Sequence, residues 1–283
     1  MYRGTFTVNC SILFTDAPLL QRPQLAKESG FDSIEFWWPF DSPVPSDVDV
    51  ERFVSAVRDA GVQLTGLNFA AGDMPAGDRG ILSDPRQAGS FRDNIDVTIG
   101  IGEKLGTKAF NALYGNRIDD IDPLEQDAVA TENLAAAGRA ALRIGGVVLV
   151  EPVSGAPAYP LKRASDAVAV IQRVAREHDV HNLRLLADLY HLAVNGDEIA
   201  AVVDEHVNLI GHVQIADSPG RGEPGTGQID LQSHLAQLAD NGYDGLVGIE
   251  YKATRPDTFS WIDSGHSAGS TPGMNSLSRT STT

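Results

Sequence analysis

Short apolar segments alternate with longer amphipathic segments along almost the whole chain, and this alternation constrains the fold most strongly. Strand–helix alternation sustained over about 250 residues is typical of parallel strands closed into a (β/α)8 barrel. A doubly wound open sheet has the same alternation, but no G-x-G-x-x-G turn follows the first strand, which disfavours the dinucleotide-binding version. The predicted strands are residues 5–9, 32–36, 62–68, 107–111, 147–150, 183–187, 209–213 and 246–249.

The segments between these strands have helical periodicity and recognisable ends. Ser46 is placed to cap one helix, which Gly61 ends, and Asp122 precedes Pro123 at the start of another. The predicted helices are residues 19–29, 45–60, 85–105, 123–143, 163–178, 197–205 and 231–241.

The length and composition of the chain are consistent with one domain. The chain has 283 residues, of which 42% are hydrophobic, so it can bury a large core. The last segment is instead rich in Ser, Gly and Thr. We therefore predict a single barrel over residues 1–262 and a flexible, disordered tail over residues 263–283.

Charge and cysteine content exclude several classes of protein. The net charge of −16 would repel phosphate backbones, so we expect no nucleic-acid partner. Cys10 is the single cysteine, which excludes an intrachain disulfide and disfavours a cysteine-based zinc site. No apolar run reaches the roughly 20 residues needed to span a bilayer, and the first residues lack the apolar region of a signal peptide. These features predict a cytoplasmic protein without a membrane partner, and a homo-oligomer is compatible with them.

Oxygen-bearing side chains follow four consecutive predicted strands. These residues are Glu151, Asp188, Gln214 and Glu250. In a parallel barrel all four strand ends emerge on the face that carries active sites, and neighbouring strands lie about 4.8 Å apart. Three carboxylates this close would repel one another, so a hard divalent cation is expected among them, and oxygen ligands suit Mg²⁺ or Mn²⁺ better than Zn²⁺. Any one of these residues alone would be interpreted as an ordinary polar strand end.

Histidines and cations surround this set. His191 follows Asp188 by three residues, and His212 precedes Gln214 by two, so either could orient a substrate oxygen. Lys252 and Arg221 are candidates to bind an anionic substrate, and Arg221 lies in the Gly- and Pro-rich segment ADSPGRGEPGTG. A hydrogen-bonded core histidine and solvated surface cations are the alternative interpretations. That segment and residues 70–84 are expected to be loops that overhang the site and could close over substrate.

Several longer motifs resemble the hydroxypyruvate isomerase branch of the xylose-isomerase-like barrels. They are GFDSIEFWWPF, NFAAGDMPAGDRGI, LVEPV, ADLYH, GHVQIADSPGRGEPGTGQID and YDGLVGIEYKA. The resemblance extends from about Phe6 to Trp261, and the motif over residues 214–230 is its most specific part. The resemblance implies a metal held by Glu151, Asp188, Gln214 and Glu250, of which the two glutamates also transfer protons.

The same resemblance implies a set of substrate-binding residues and a reaction. The set comprises His191, His212, Arg221, Lys252, Glu35 and Asn68. Leu67 departs from the pattern, since many relatives have histidine there, and this change removes a possible contact to the substrate. The implied enzyme is a metal-dependent isomerase of glyoxylate and carbohydrate metabolism that interconverts hydroxypyruvate and 2-hydroxy-3-oxopropanoate through a cis-enediolate. Its substrate would be a small anionic hydroxy-keto acid.

Other functions remain open on this sequence. A closely related isomerase could act on a four-carbon 2-oxo acid (2-oxotetronate), and a ketose 3-epimerase could use the same metal and glutamates on a larger sugar. A non-catalytic sugar-binding barrel would not need the two glutamates. An endonuclease of the same fold is disfavoured by the charge of −16 and by the shortage of strand-end histidines.

Overall fold

Eight parallel strands form a closed barrel in the computed structural model, which describes residues 5–264. Each strand pairs with its neighbours in the sequence, and β1 pairs with β8 to close the barrel. The predicted (β/α)8 fold is confirmed. The strands are β1 (Phe6–Asn9), β2 (Ser33–Phe36), β3 (Gln63–Asn68), β4 (Ala109–Asn111), β5 (Val147–Val150), β6 (Leu183–Asp188), β7 (Ile210–Ile215) and β8 (Val247–Ile249).

Helices follow the strands on the outside of the barrel. Ser46 caps α2 by accepting a hydrogen bond from Asp49 N–H at 3.2 Å, and Gly61 ends this helix in the left-handed conformation, as predicted. Asp122 caps α4 in the same way. The helices are α1 (Arg22–Glu28), α2 (Asp47–Ala60), α3 (Ala88–Leu105), α4 (Pro123–Arg143), α5 (Ala164–His178), α6 (Leu189–Val194), α7 (Ile199–His206), α8 (Leu231–Asp240) and α9 (Ser260–Ser264).

The segment after β6 differs from the sequence prediction. The sequence predicted no strand or helix between residues 187 and 197, but β6 continues through Asp188 and the short helix α6 begins at once. The carboxylate of Asp188 accepts hydrogen bonds from the backbone N–H groups of Tyr190 and His191. Because this carboxylate caps the helix, the chain can turn from strand to helix without a connecting loop.

The core lies between the strands and the helices, whereas the barrel interior contains polar side chains. Phe36 of β2 packs edge-on against Phe53 of α2 in the outer layer. Inside the barrel, Thr7 and Thr65 are hydrogen-bonded at 2.7 Å, and farther along β1 Asn9 pairs in register with Glu35. The interior of the barrel can therefore supply polar groups that support a site at its mouth.

The strand register brings the predicted site residues to one end of the barrel. Asp188 is the register partner of Gln214, and Gln214 is the partner of Gly248, two residues before Glu250. No helix within residues 5–264 is long and apolar enough to cross a membrane. The predicted tail falls outside the described residues from residue 265 onward.

Candidate active site

A cavity of about 330 Å³ opens at the carboxyl ends of the strands. Its lining includes five of the predicted site residues, namely Asn68, Glu151, His191, Arg221 and Glu250. Trp37, Met74, Arg79 and Ser154 complete much of the wall. Active sites of parallel barrels lie at this end, because the loops after the strands converge there.

Three carboxylates are buried together beside this cavity. Glu151, Asp188 and Glu250 are exposed by only 5%, 1% and 4%, respectively. Asn111 Nδ2 donates to Glu151 Oε2 at 2.7 Å. The Arg221 guanidinium donates to Glu250 Oε1 and lies 3.5 Å from Asp188 Oδ2. One partly buried cation therefore faces three buried acids, and the cluster can accept further positive charge.

Burial and mutual repulsion shift the ionisation of the two glutamates. Burial, with a further contribution from the charge of Asp188, raises the pKa of Glu151 to about 8. Burial also holds the pKa of Glu250 well above its usual value, although Arg221 opposes this shift. A nearby cation would favour the ionised form of both groups. A carboxyl group whose pKa is raised above its ordinary value is better suited to accept and return a proton.

Three buried oxygen atoms in this region lack a hydrogen bond, namely Asp188 Oδ2, Gln214 Oε1 and Asn111 Oδ1. The first two belong to predicted metal ligands. The amide nitrogen of Gln214 donates to Glu35 Oε1 and to Glu250 Oε2, both at 2.6 Å, so its oxygen remains available as an acceptor. Buried polar atoms without a partner are rare and often indicate an ion or a water. The oxygen atoms of Asp188 and Gln214 fit the donor set of a hard divalent cation.

His191 is held in one tautomer by its neighbour. The backbone N–H of Ser154 donates to His191 Nδ1 at 3.1 Å, and burial lowers the pKa of His191 to about 4. The neutral ring therefore carries its proton on Nε2, which lies 3.5 Å from Asp188 Oδ2 and 4.0 Å from Glu151 Oε1. Glu151, Asp188 and His191 each offer one atom within 4.8 Å of the others, so this buried group could bind a metal.

Glu35 and His212 lie beneath the cavity rather than in its wall. Glu35 is 3% exposed and accepts hydrogen bonds from Asn9 Nδ2 at 3.2 Å, His212 Nε2 at 2.7 Å and Gln214 Nε2 at 2.6 Å. Asn9 Nδ2 also donates to Glu250 Oε2 at 2.8 Å. Glu35 thus joins β1, β2 and β7 under the acidic cluster and fixes the orientation of the Gln214 amide.

The structure does not bring every predicted residue to the cavity. The side chain of Lys252 is exposed and does not line the cavity wall. Sequence analysis did not single out Asn9, Asn111 or Arg79. Asn9 and Asn111 end β1 and β4, so the strand-end rule that identified the four metal-ligand candidates would also have identified these two. Arg79 lies on a loop, where no periodic pattern in the sequence indicates which way a side chain points.

This arrangement defines a parallel barrel enzyme with a buried acidic cluster at its catalytic end. A family model described as "Xylose isomerase-like TIM barrel" matches residues 23–268, and the chain belongs to this family. The family prediction made from the sequence motifs is therefore confirmed.

The named relatives are isomerases. A putative hydroxypyruvate isomerase of Streptomyces coelicolor is 51% identical over 92% of this chain and 96% of its own length. The hydroxypyruvate isomerase of Escherichia coli is 31% identical over 91% and 98%, respectively. A 2-oxo-tetronate isomerase of Cupriavidus necator is 31% identical over 87% and 92%. The prediction that the chain is an isomerase of the hydroxypyruvate isomerase branch is confirmed.

One similar solved structure is that of a protein with a different name. A protein from Brucella melitensis described as an AP endonuclease of family 2 is 28% identical, with a TM-score of 0.83 over 93% of this chain and 99% of its own. This likeness extends over the complete barrel.

Proposed function

We propose that this protein is a metal-dependent isomerase that interconverts hydroxypyruvate and 2-hydroxy-3-oxopropanoate through a cis-enediolate. The observation that carries the proposal is the pair of buried glutamates, Glu151 on the β5 side and Glu250 on the β8 side, in the wall of one small cavity. The names of the relatives from S. coelicolor and E. coli support the choice of substrate.

The residues that would hold the metal are Glu151, Asp188, Gln214 and Glu250. The free acceptors Asp188 Oδ2 and Gln214 Oε1 support this set, and its all-oxygen chemistry suits Mg²⁺ or Mn²⁺. We place His191 outside the set, because Ser154 N–H occupies the lone pair of Nδ1 and leaves a proton on Nε2. A divalent cation bound there would stabilise negative charge on the two substrate oxygens.

The two glutamates would move the carbon-bound proton. One ionised glutamate removes a proton from the hydroxymethyl carbon of hydroxypyruvate, and the same or the other glutamate returns it to the neighbouring carbon. The hydroxyl proton passes from the C3 oxygen to the C2 oxygen, so that the carbonyl group moves from C2 to C3. Burial raises the pKa of Glu151 to about 8 in the metal-free protein, and a bound cation would favour the ionised form that removes the proton. His191 Nε2–H is placed to donate a hydrogen bond to a substrate oxygen beside this glutamate. Met74 and Arg79 on the β3–α3 loop cover part of the cavity and help to exclude water from the reactive enediolate.

The test is the turnover of hydroxypyruvate by Glu151→Gln and Glu250→Gln proteins. Both amides keep the shape of the side chain but cannot accept a proton, so we expect a loss of about 10²-fold or more in kcat. Glu132→Gln is the matched control, since Glu132 is 61% exposed on α4 and pairs with Arg92. Treatment with EDTA should abolish activity, and Mn²⁺ or Mg²⁺ should restore it. Full activity in either active-site variant, or after removal of the metal, would contradict the proposal.

An isomerase of a four-carbon 2-oxo acid is the second candidate. A wider depression of about 790 Å³ shares Trp37, Met74 and Pro75 with the cavity, so a longer substrate has room to extend. The similarity to the 2-oxo-tetronate isomerase of C. necator also supports this second candidate. Values of kcat/KM for hydroxypyruvate, four-carbon 2-oxo acids and ketohexoses, measured side by side, separate the candidates. Turnover of ketohexoses alone would favour a ketose 3-epimerase.

A further inference from the structure

Besides Arg221, the cavity contains a second cation, Arg79, whose charge is not paired with the acidic cluster. Its side chain lines the cavity, and its Nη1 atom donates to the backbone carbonyl oxygens of Met74 at 3.1 Å and Asp78 at 2.6 Å. Within residues 5–264, no carboxylate forms an ion pair with it, and its Nε and Nη2 atoms donate no hydrogen bond. A guanidinium held by one nitrogen can present its other N–H groups to a ligand.

The loop that carries Arg79 is cross-linked by its own polar groups. Asp78 Oδ2 accepts a hydrogen bond from Asp73 N–H at 2.8 Å, which closes the loop on itself. The backbone oxygen of Arg79 accepts from Gly115 N–H at 3.0 Å. Gly80, with φ at +107°, packs so closely against the chain after β4 that a Cβ atom there would lie 2.0 Å from Leu113 O. The backbone on both sides of Arg79 is therefore fixed, which limits the positions its guanidinium can reach.

The other two predicted anion-binding cations are less suited to this role, because one is paired with the acidic cluster and the other lies outside the cavity wall. The guanidinium of Arg221 is paired with Glu250 and lies near Asp188. Lys252 is exposed and does not line the cavity. The proposed divalent cation and Arg221 would balance the three buried carboxylates and leave no excess positive charge, so the carboxylate of a substrate still needs a cation of its own to pair with. The side chain of Arg79 faces this space, since it lines the same cavity as Glu151 and Glu250.

We propose that Arg79 binds the carboxylate of the substrate and thereby selects small keto acids over uncharged ketoses. A planar guanidinium with free N–H groups matches a carboxylate in shape and charge. This inference rests on the proposed function and identifies the residue that recognises its substrate class. It also replaces the expectation from sequence that Arg221 or Lys252 has this role.

The experiment compares Arg79→Gln and Arg79→Lys with the wild-type holoenzyme. We expect the KM for hydroxypyruvate to rise about 10- to 100-fold in Arg79→Gln, with a much smaller change in kcat, because a charged contact to the substrate is lost. The inhibition constant of glycerate, a stable three-carbon carboxylate, should rise by a similar factor. In Arg79→Lys the KM for hydroxypyruvate and the inhibition constant of glycerate should both return part of the way to the wild-type values, since lysine keeps the charge but loses the planar geometry. Arg86→Gln is the matched control, because Arg86 lies on the same connection but pairs with Asp84 outside the cavity.

The possible results are distinguishable. A wild-type KM and glycerate inhibition constant in Arg79→Gln would overturn the inference, even if the enzyme isomerises hydroxypyruvate. A fall in kcat at constant KM would also overturn it, because that pattern indicates a structural role for the loop. By contrast, a wild-type enzyme that isomerises no keto acid would refute the proposed function itself, and binding of glycerate would then still test Arg79 separately.

Discussion

Replacing Glu35 with Gln tests how the barrel interior supports the proposed metal site. The carboxylate of Glu35 accepts three hydrogen bonds, from Asn9, His212 and Gln214. In Glu35→Gln one of its two oxygens becomes an NH2 group, so the new amide cannot accept from both His212 and Gln214. We expect the Gln214 amide to lose its fixed orientation, which at present leaves Gln214 Oε1 free.

The expected effect is a loss of metal affinity. Groups that orient metal ligands typically contribute about 10- to 100-fold to affinity, which corresponds to roughly 1.4–2.7 kcal/mol. Stability should change less than the loss of charged hydrogen bonds alone predicts, because the substitution also removes a negative charge from beneath Glu151 and Glu250. Both glutamates have raised pKa values to which the charge of Glu35 contributes.

Calorimetric titration of metal-stripped protein with Mn²⁺ measures this effect. Asp127→Asn is a suitable control, since Asp127 on α4 accepts a hydrogen bond from Tyr114 and pairs with Arg117 away from the cavity wall. This control should lose stability but keep its Mn²⁺ affinity. The reasoning would be refuted if folded Glu35→Gln protein, checked by circular dichroism, bound Mn²⁺ as tightly as the wild type.

Two further predictions concern the same site. The pKa of Glu151 is about 8 in the folded, metal-free protein and about 4.5 when the chain is unfolded. At pH values between these two, the folded state therefore binds more protons than the unfolded state. The free energy of unfolding of metal-free protein should fall as the pH rises from about 5 to 8. Scanning fluorimetry should show this fall in Tm and a larger gain from Mn²⁺ at pH 8 than at pH 5, whereas a Tm independent of pH would contradict it. Gly248→Ala would place a Cβ atom 2.8 Å from both Gln214 Cγ and Glu35 Oε1, so we expect a loss of about 1–3 kcal/mol in stability and weaker Mn²⁺ binding. Denaturant unfolding measures the stability of Gly248→Ala, and calorimetric titration measures its affinity for Mn²⁺. Wild-type values in both measurements would contradict the prediction, because they would show that Gln214 and Glu35 move aside without cost.

Local patterns in the sequence predicted the fold and part of the site. Apolar segments such as residues 147–150 predict buried parallel strands, because period and composition depend only on neighbours along the chain. The rule that active sites lie at strand ends then located Glu151, Asp188 and Glu250, all of which are buried beside one cavity. These side chains come together because strand direction and barrel closure place all carboxyl ends on one face.

Two differences between the sequence reasoning and the structure have equally local causes. Lys252, a candidate from the sequence to bind an anionic substrate, follows Glu250 by two residues but is exposed and does not line the cavity. The strand β8 ends at Ile249, and side-chain alternation does not continue beyond a strand. The helix α6 was missed because Asp188 both ends a strand and caps the next helix.

Only the tertiary structure determined which residues of the site are hydrogen-bonded to one another. The hydrogen bond from Asn9 to Glu250 joins the first and last strands, 241 residues apart, and exists because the barrel closes. Glu35 and His212 meet across the barrel interior, although each alone resembles an ordinary buried polar residue. Arg79 reaches the cavity through loop contacts that have no period in the sequence. Chemistry at strand ends can thus be predicted from local order, whereas partners, tautomers and the choice of anion-binding cation depend on contacts between distant parts of the chain.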